Sequence, residues 1–338
     1  MEYGAIDLHL RHSQIRIVRE DGSVVADRRI STSREALTAL FGGRAPMRVV
    51  VETGTESEWV AQTVESCGHE VVVVDPNYAL MYGTWQRRVK TDRRDAAGLA
   101  EANRRGIYRA AHRVSASQRQ QRRVLRVREQ LIRVRTQAIN LLRAQLRQEG
   151  YRLPSGSAVH AVGRYRALAV PGALAEALAP VVALLEHLVP AIATANTEAT
   201  AAARQDPIVR RLTTAPGVGA ITGLTYRAVV DDIGRFRDAA AASAYFGLVP
   251  REDSSAERHC RGRITKMGPS KPRSLLIQAA WGVWRQRARD PLQVWVHRLA
   301  QRRGRRIAVV ALARRLCRIL YAMWRDGADY QAAPLAEA

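Results

Sequence analysis

Four carboxylates in the first third of the chain limit the folds open to it: Asp7, Glu52, Asp92 and Asp95. Each is attached to the end of a readable element. Asp7 lies in Gly4-Ala5-Ile6-Asp7-Leu8, a short apolar run that reads as a first strand. Glu52 closes a second apolar run, Arg48-Val49-Val50-Val51-Glu52, and the turn residues Thr53-Gly54-Thr55 follow it. Asp92 and Asp95 belong to Lys90-Thr91-Asp92-Arg93-Arg94-Asp95-Ala96-Ala97, which reads as a helix start with Thr91 as its cap. At i and i+3 these two carboxylates share one helix face. Singly, each has a structural explanation, because solvated strand ends and acidic first turns are common. Jointly they form a candidate ligand set for a hard cation, which takes oxygen ligands and keeps positions open for phosphate oxygens. Two such ions can clamp the attacking and leaving oxygens of a phosphodiester.

The rest of this stretch alternates short strands and helices. Gln14–Val18 alternates polar and apolar residues as a half-buried strand does, and Asp21-Gly22-Ser23 reads as a hairpin turn into Val24-Val25-Ala26. Ser33 to Leu40 reads as a helix, and Val71–Val74 as a fully buried strand. Strands that first meander and then alternate with helices predict an α/β mixed sheet flanked by helices. A strand Asp, a strand-end Glu and a helical Asp pair, in that order, is the layout of RNase H-like nuclease domains.

Composition supplies a partner. The chain of 338 residues carries 54 basic and 31 acidic residues, a formal charge of +23, and a pI near 11.2. Only Lys90, Lys266 and Lys271 are lysines, so arginine, whose planar fork suits bidentate phosphate contact, supplies nearly all of the positive charge. A chain this basic is expected to bind nucleic acid. Cys67, Cys260 and Cys317 have no CxxC spacing, so neither a zinc site nor a disulfide framework is indicated. No apolar stretch reads as long enough to span a bilayer and no signal peptide is apparent, so a cytoplasmic, nucleoid-associated protein with no membrane partner is expected.

Beyond residue 110 the pattern changes. From Ser115 to Glu149 a long basic helix is predicted, with Val124, Val127, Leu131, Val134, Ala138 and Leu141 as one apolar seam. Its other faces carry Arg122, Arg126 and Arg133, candidate nucleic-acid contacts. A second helical stretch, Ala173 to Ala203, contains Pro180 and Pro190 as expected breaks or kinks. Together these suggest a helical hairpin or coiled coil, either joining subunits or closing on itself. The turn Ala215-Pro216-Gly217-Val218-Gly219 resembles the hairpin of helix-hairpin-helix modules, where N–H groups hold DNA phosphates, so Gly217 and Gly219 are candidates. Further on, Phe246-Gly247-Leu248-Val249-Pro250-Arg251 leads into the pair Ser254-Ser255, read as a loop, and then into Arg261, Arg263 and Lys266. A serine hydroxyl attacks only when a base or metal activates it. Arg251, Arg261, Arg263, Lys266 and the cluster Arg302, Arg303, Arg305 and Arg306 are candidate phosphate contacts; a solvated charge run is the alternative.

These motifs resemble one family over essentially the full length. Ala5-Ile6-Asp7, Val50-Val51-Glu52-Thr53-Gly54, Lys90–Ala96, Ala215–Gly219 and Phe246–Arg251 match insertion-sequence transposases with a DEDD, RuvC-like N-domain, the IS-one-ten family. The resemblance implies that Asp7, Glu52, Asp92 and Asp95 bind Mg²⁺, with Mn²⁺ a substitute. It implies that Ser255, with Ser254 as its neighbour, is the catalytic nucleophile of a DNA recombinase with a covalent phosphoserine intermediate. It also implies DNA ends and target as substrates, a structured guide (bridge) RNA, and a homo-oligomer of two to four subunits. The expected partition is a RuvC-like metal domain over 1–110, a coiled-coil oligomerisation region over 111–205, and a mainly α transposase domain over 206–338 with a helix-hairpin-helix-like element and the serine. The chain departs from the family in carrying His9-Leu10-Arg11-His12 where relatives have a lysine, and Ala256 after Ser255 where relatives have glycine. Two rival readings remain at this point: a RuvC-type nuclease using water, and a non-enzymatic basic binder. The first would leave Ser255 dispensable; the second would tolerate loss of every carboxylate.

Overall fold

The structure, a computed structural model, describes residues 1–78, 91–255, 258–286 and 290–332, without the side chains of 253–261. The chain divides into two compact units, Met1–Val114 and Ser115–Ala338.

The first unit is a five-stranded mixed sheet. Strands β1 (Glu2–Asp7), β2 (His12–Arg19) and β3 (Val24–Ser31) form an antiparallel meander, followed by helix α1 (Arg34–Phe41) and strand β4 (Arg48–Glu52). Helix α2 (Ser57–Ser66) then crosses to β5 (Glu70–Val74), and α3 (Asp92–Arg105) completes the unit. The strand order is β3-β2-β1-β4-β5, with β1–β4 and β4–β5 parallel. The valine runs of β4 and β5 are what burial on both faces requires. One face, with Ile6, Ile15, Val49 and Val51, packs against Leu37 and Phe41 of α1 and Val60 and Val64 of α2. The other, with Ala5, Val18, Val50 and Val74, packs against Leu99, Ala100 and Ala102 of α3.

Two devices fix α3 on its face. Thr91 caps its start, its side chain accepting from the Arg94 N–H, and Gly106 ends it in the left-handed conformation. Near its other end, the buried Asn103 amide donates to the carbonyls of Gly4 (2.8 Å) and Arg48 (2.9 Å), at the beginnings of β1 and β4. With its C-terminal turn held where those strands begin, the helix presents its N-terminal turn where they end.

The second unit is mainly helical. Helices α4 (Ala116–Gln148), α5 (Ala161–Arg166) and α6 (Gly172–Gln205) share a core of Ile139, Leu142, Leu146, Val162, Leu178, Val182 and Leu185. The apolar seam expected on α4 is met in part: Ala138 is buried in this core and Val124, Leu131 and Val134 are half-buried. Val127 and Leu141 are 59% and 48% exposed, whereas Ile139, Leu142 and Leu146 are buried, because α4 is apolar on adjacent lines and α6 takes the second of them. Pro180 and Pro190 do not break α6, which runs unbroken for 34 residues. Both prolines are exposed, so the carbonyls they leave unbonded face water. The same helix corrects the expectation that no apolar stretch is of spanning length: by length and composition α6 is sufficient to cross a membrane, with a window of mean hydropathy 1.7. Here its Leu178, Val182 and Leu185 pack against α4.

Helices α7 (Pro207–Leu212), α8 (Ala220–Val230), α9 (Ala239–Tyr245), α10 (Ser270–Arg285), α11 (Pro291–Arg303) and α12 (Arg305–Asp326) enclose the largest core, around Tyr226, Phe246, Leu312, Leu316 and Leu320. Inserted among them is an antiparallel pair, β6 (Pro250–Ser255) and β7 (Arg258–Ile264), where the sequence reads as a loop. Pro-Arg-Glu-Asp-Ser-Ser has no alternating apolar face, so strand periodicity is invisible in it.

Candidate metal centre and nucleic-acid surfaces

Register sets the floor of the site. Ile6 of β1 pairs with Val51 of β4, so Asp7 and Glu52 stand next to one another, one residue beyond, at the C-terminal ends of adjacent parallel strands. Two residues from Ala5 and Val50 respectively, they share the face that α3 covers. Asp92 and Asp95 occupy the first turn of α3 at the same edge. Three of the four carboxylates are linked directly: the charges of Asp95 and Asp92 both act on Asp7. Glu52 joins them by strand register.

Asp7 is only 7% exposed, and its Oδ2 is buried with no aligned hydrogen-bond donor. Burial is the main cause that raises its pKa above the usual carboxylate range; Asp95 and Asp92 add to this, and His9 works against it. A buried, crowded carboxylate of this kind is costly without a cation. His9 was not read as a site residue from the sequence, yet its Nε2 stands 3.3 Å from Asp7 Oδ2 and 3.4 Å from Asp92 Oδ1. The three ligand atoms lie within 4.8 Å of one another. Asp7 forms the floor, while His9 and Asp92, each more than half exposed, form a rim open to a substrate. An oxygen-rich donor set of this kind fits a hard divalent cation.

A further carboxylate on the α3 face, Asp27, has the opposite character. Gln14 (2.6 Å), Arg16 (2.7 Å) and Arg93 (2.7 Å) all donate to it. Burial works to raise its pKa, but the Arg93 hydrogen bond and the Arg16 charge outweigh this and hold it low. Asp27 is already neutralised and offers little to a metal.

Ser255 ends β6, its Cα opposite Arg258, and Ser254 lies opposite His259. The serine side chains, and that of Arg261, fall outside the described residues, as does Lys90.

The arginines sort into several environments. Arg122 is spent within the fold, donating from Nε and Nη2 to the Ala228 and Val229 carbonyls at the end of α8 (2.7 and 2.9 Å). Arg126 lines a cleft of about 310 Å³ between α4, α8 and the start of α10, with Arg122, Tyr245 and Lys271. Arg133, Arg251, Arg263, Lys266, Arg302, Arg303 and Arg306 are exposed. Arg305 lies over the rings of Trp281 and Trp284, 4.8 and 5.1 Å from their centroids. Gly219 begins α8 in open space. Gly217 instead is held at φ +74° against the Ala279 carbonyl of α10, so its lack of a side chain serves packing.

This combination, a carboxylate cluster at the edge of a mixed sheet in a strongly basic chain, is that of a nucleic-acid phosphoryl-transfer protein. Comparison with known proteins gives the particular kind. A family described as "Transposase IS116/IS110/IS902 family" matches residues 209–293, and the DEDD transposase domain of the IS110 family matches residues 5–150. The chain is 29% identical over 326 residues to a probable family 20 transposase of Pseudomonas aeruginosa, covering 94% of this chain and 95% of that one. It is 28% identical over 313 residues to the transposase for insertion sequence element IS1111A of Coxiella burnetii, covering 90% and 85%. It is 26% identical over 329 residues to the transposase for IS1328 of Yersinia enterocolitica, covering 95% and 96%. The chain belongs to the IS110 family of insertion-sequence transposases. It is accordingly a DNA transposase, and its DEDD domain implies dependence on a divalent metal.

Proposed function

We propose that this transposase cuts and rejoins DNA through a covalent phosphoserine intermediate on Ser255, with Mg²⁺ held by Asp7, Glu52, Asp92 and Asp95 and with a structured RNA choosing the sites. The observation that carries the metal reading is the buried, hydrogen-bond-free oxygen of Asp7 beside the charges of Asp92 and Asp95. The strand order β3-β2-β1-β4-β5, with an antiparallel meander of three strands extended by two parallel ones, supports an RNase H-like, RuvC-like reading of this unit.

When bound, a divalent ion supplies charge neutralisation for the transferring phosphate. The carboxylates hold that charge at the rim of the sheet, where His9 and Asp92 leave access. Ser255 Oγ forms a bond to phosphorus as the bond to one sugar oxygen breaks; the serine proton passes to a base and the sugar oxygen leaves as a hydroxyl. A second sugar hydroxyl then reverses the exchange, so one phosphodiester is made for each one broken and no nucleotide hydrolysis is needed. Strand pairing supports this role for the serine by fixing its backbone at the end of a hairpin strand, opposite the backbone of Arg258. Exposed arginines on α4 and at the start of α12 are suited to sugar-phosphate backbones, DNA or RNA, without reading sequence. Residues 1–110 serve as metal domain within the first compact unit, and 111–205 and 206–338 as helical region and serine-bearing domain, which fall almost wholly in the second. The helical pair, on which Val127, Leu141 and Leu184 are exposed, is the face offered for homo-oligomers of two to four chains.

Trapping a protein–DNA adduct tests the proposal. Full-length protein with Mg²⁺, RNA transcribed from the flanks of its element, and DNA spanning the element ends is denatured and resolved beside Ser255→Ala, Ser254→Ala and Asp7→Asn. The expected result is an adduct lost in Ser255→Ala and Asp7→Asn. Metal-dependent cleavage without an adduct, unchanged in Ser255→Ala, would show water as the nucleophile and overturn the phosphoserine step.

A further inference from the structure

We infer that His9 is a nitrogen ligand of the metal centre and tilts its preference from Mg²⁺ toward Mn²⁺. The inference rests on the reading of the carboxylates as a metal site. In an octahedral shell with bonds of about 2.1 Å, neighbouring donor atoms are about 3 Å apart. The His9 Nε2 stands 3.3 Å from Asp7 Oδ2 and 3.4 Å from Asp92 Oδ1, close to the spacing of adjacent ligands around one ion. That carboxylate is more than nine-tenths buried, and its nearest donor, the His9 Nε2 at 3.3 Å, is poorly aligned on Oδ2, so the imidazole alone satisfies it weakly. Three donor atoms within 4.8 Å of one another, two of them carboxylate oxygens, are an arrangement that a cation completes.

The loop holding His9 is itself anchored. Thr32 Oγ1 donates to the His9 carbonyl at 2.7 Å, the Thr32 N–H donates to the Arg11 carbonyl at 2.9 Å, and Ser13 Oγ lies 2.7 Å from Thr32 Oγ1. The end of β3 thereby fixes the β1–β2 connection, and the half-exposed imidazole is carried on a braced backbone only two residues after Asp7. Ligand chemistry gives the consequence. Mg²⁺ favours all-oxygen shells, whereas Mn²⁺, a first-row transition ion that shares this taste for oxygen, accepts an imidazole more readily, so a histidine donor narrows the advantage of Mg²⁺.

Electron paramagnetic resonance of Mn²⁺ bound to the full chain reads this directly, without any turnover. Wild type should bind Mn²⁺ with ¹⁴N modulation from a coordinated imidazole. His9→Gln should retain Mn²⁺ with that modulation gone and the affinity lowered about tenfold, the usual scale for losing a supporting group at a metal site. Competition by Mg²⁺ should become correspondingly more effective in His9→Gln. Asp7→Asn should lose the bound ion. Asp7-dependent binding with no ¹⁴N modulation in wild type, or with modulation that survives His9→Gln, would overturn the role of His9 while leaving the carboxylate site intact. Binding insensitive to Asp7→Asn would overturn the carboxylate site and the inference with it. Circular dichroism melts of each variant separate loss of a ligand from loss of the fold.

Discussion

Asp7 and Asp27 sit on the same face of one sheet, and their surroundings drive them apart. Asp27 is met by two guanidinium groups and an amide, and its pKa is held down. Its folded pKa lies below its unfolded one, so its stabilisation is present above the unfolded value and is lost as pH falls through the folded one. Asp27→Asn should therefore lower stability at pH 7 by about 1–3 kcal/mol, the scale of hydrogen bonds to a charged group, with the gap to wild type closing on acidification. Chemical denaturation at a series of pH values checks this, and metal affinity should be unchanged. The sequence makes Asp7 legible because it ends an apolar run; it hides His9 and Asp27. His9 matters through a loop braced by Thr32, 23 residues away, and Asp27 is disarmed by Arg93, 66 residues away. Neither relation leaves a local trace.

At the scale of elements, the strands of the first unit and the start of α3 were legible because each has a local cause: valine runs for β4 and β5, and a threonine cap for α3. The β6–β7 hairpin was not, since its residues carry no period-two apolar face. Nor was the continuity of α6, which depends on both prolines facing water. The Pro216-Gly217 turn shows how a motif is open to two explanations. Gly217 reads as a phosphate-binding glycine, yet a Cβ there would overlap the Ala279 carbonyl, and the backbone is left-handed at φ +74°. Gly217→Ala should destabilise by about 2–4 kcal/mol, adding left-handed strain to overpacking. Thermal melts should show this loss, whereas Gly219→Ala, whose Cβ would meet open space, should melt close to wild type.

Across the whole molecule, a charge of +23 announces a polyanionic partner but does not say which arginines meet it. Arg122 and Arg126, one turn apart on α4, show the difference. Arg122 bonds two α8 carbonyls, while Arg126 makes no ion pair or side-chain hydrogen bond among the described residues and lines the adjacent cleft. Arg122→Ala should cost about 1–3 kcal/mol of stability by leaving two partly buried carbonyls unbonded. Arg126→Ala should leave melting unchanged and weaken DNA binding, with a shallower dependence of affinity on salt as one phosphate contact is lost. Paired melts and salt-titrated binding isotherms distinguish the two.

The central claim, that the Asp7 cluster exists to hold a divalent cation, is tested most directly by the melting temperature of wild type and Asp7→Asn with and without metal. Asp7 has a raised pKa, so its ionised form costs stability above its unfolded value, and this cost is relieved as pH falls. Without metal at pH 7, Asp7→Asn should melt higher than wild type by a few degrees, and the gap should close in acid. With saturating Mg²⁺ or Mn²⁺ the order should reverse, because only wild type gains binding energy in the folded state. A metal-free Asp7→Asn protein that melts below wild type, or one that gains as much from the metal as wild type does, would contradict the account.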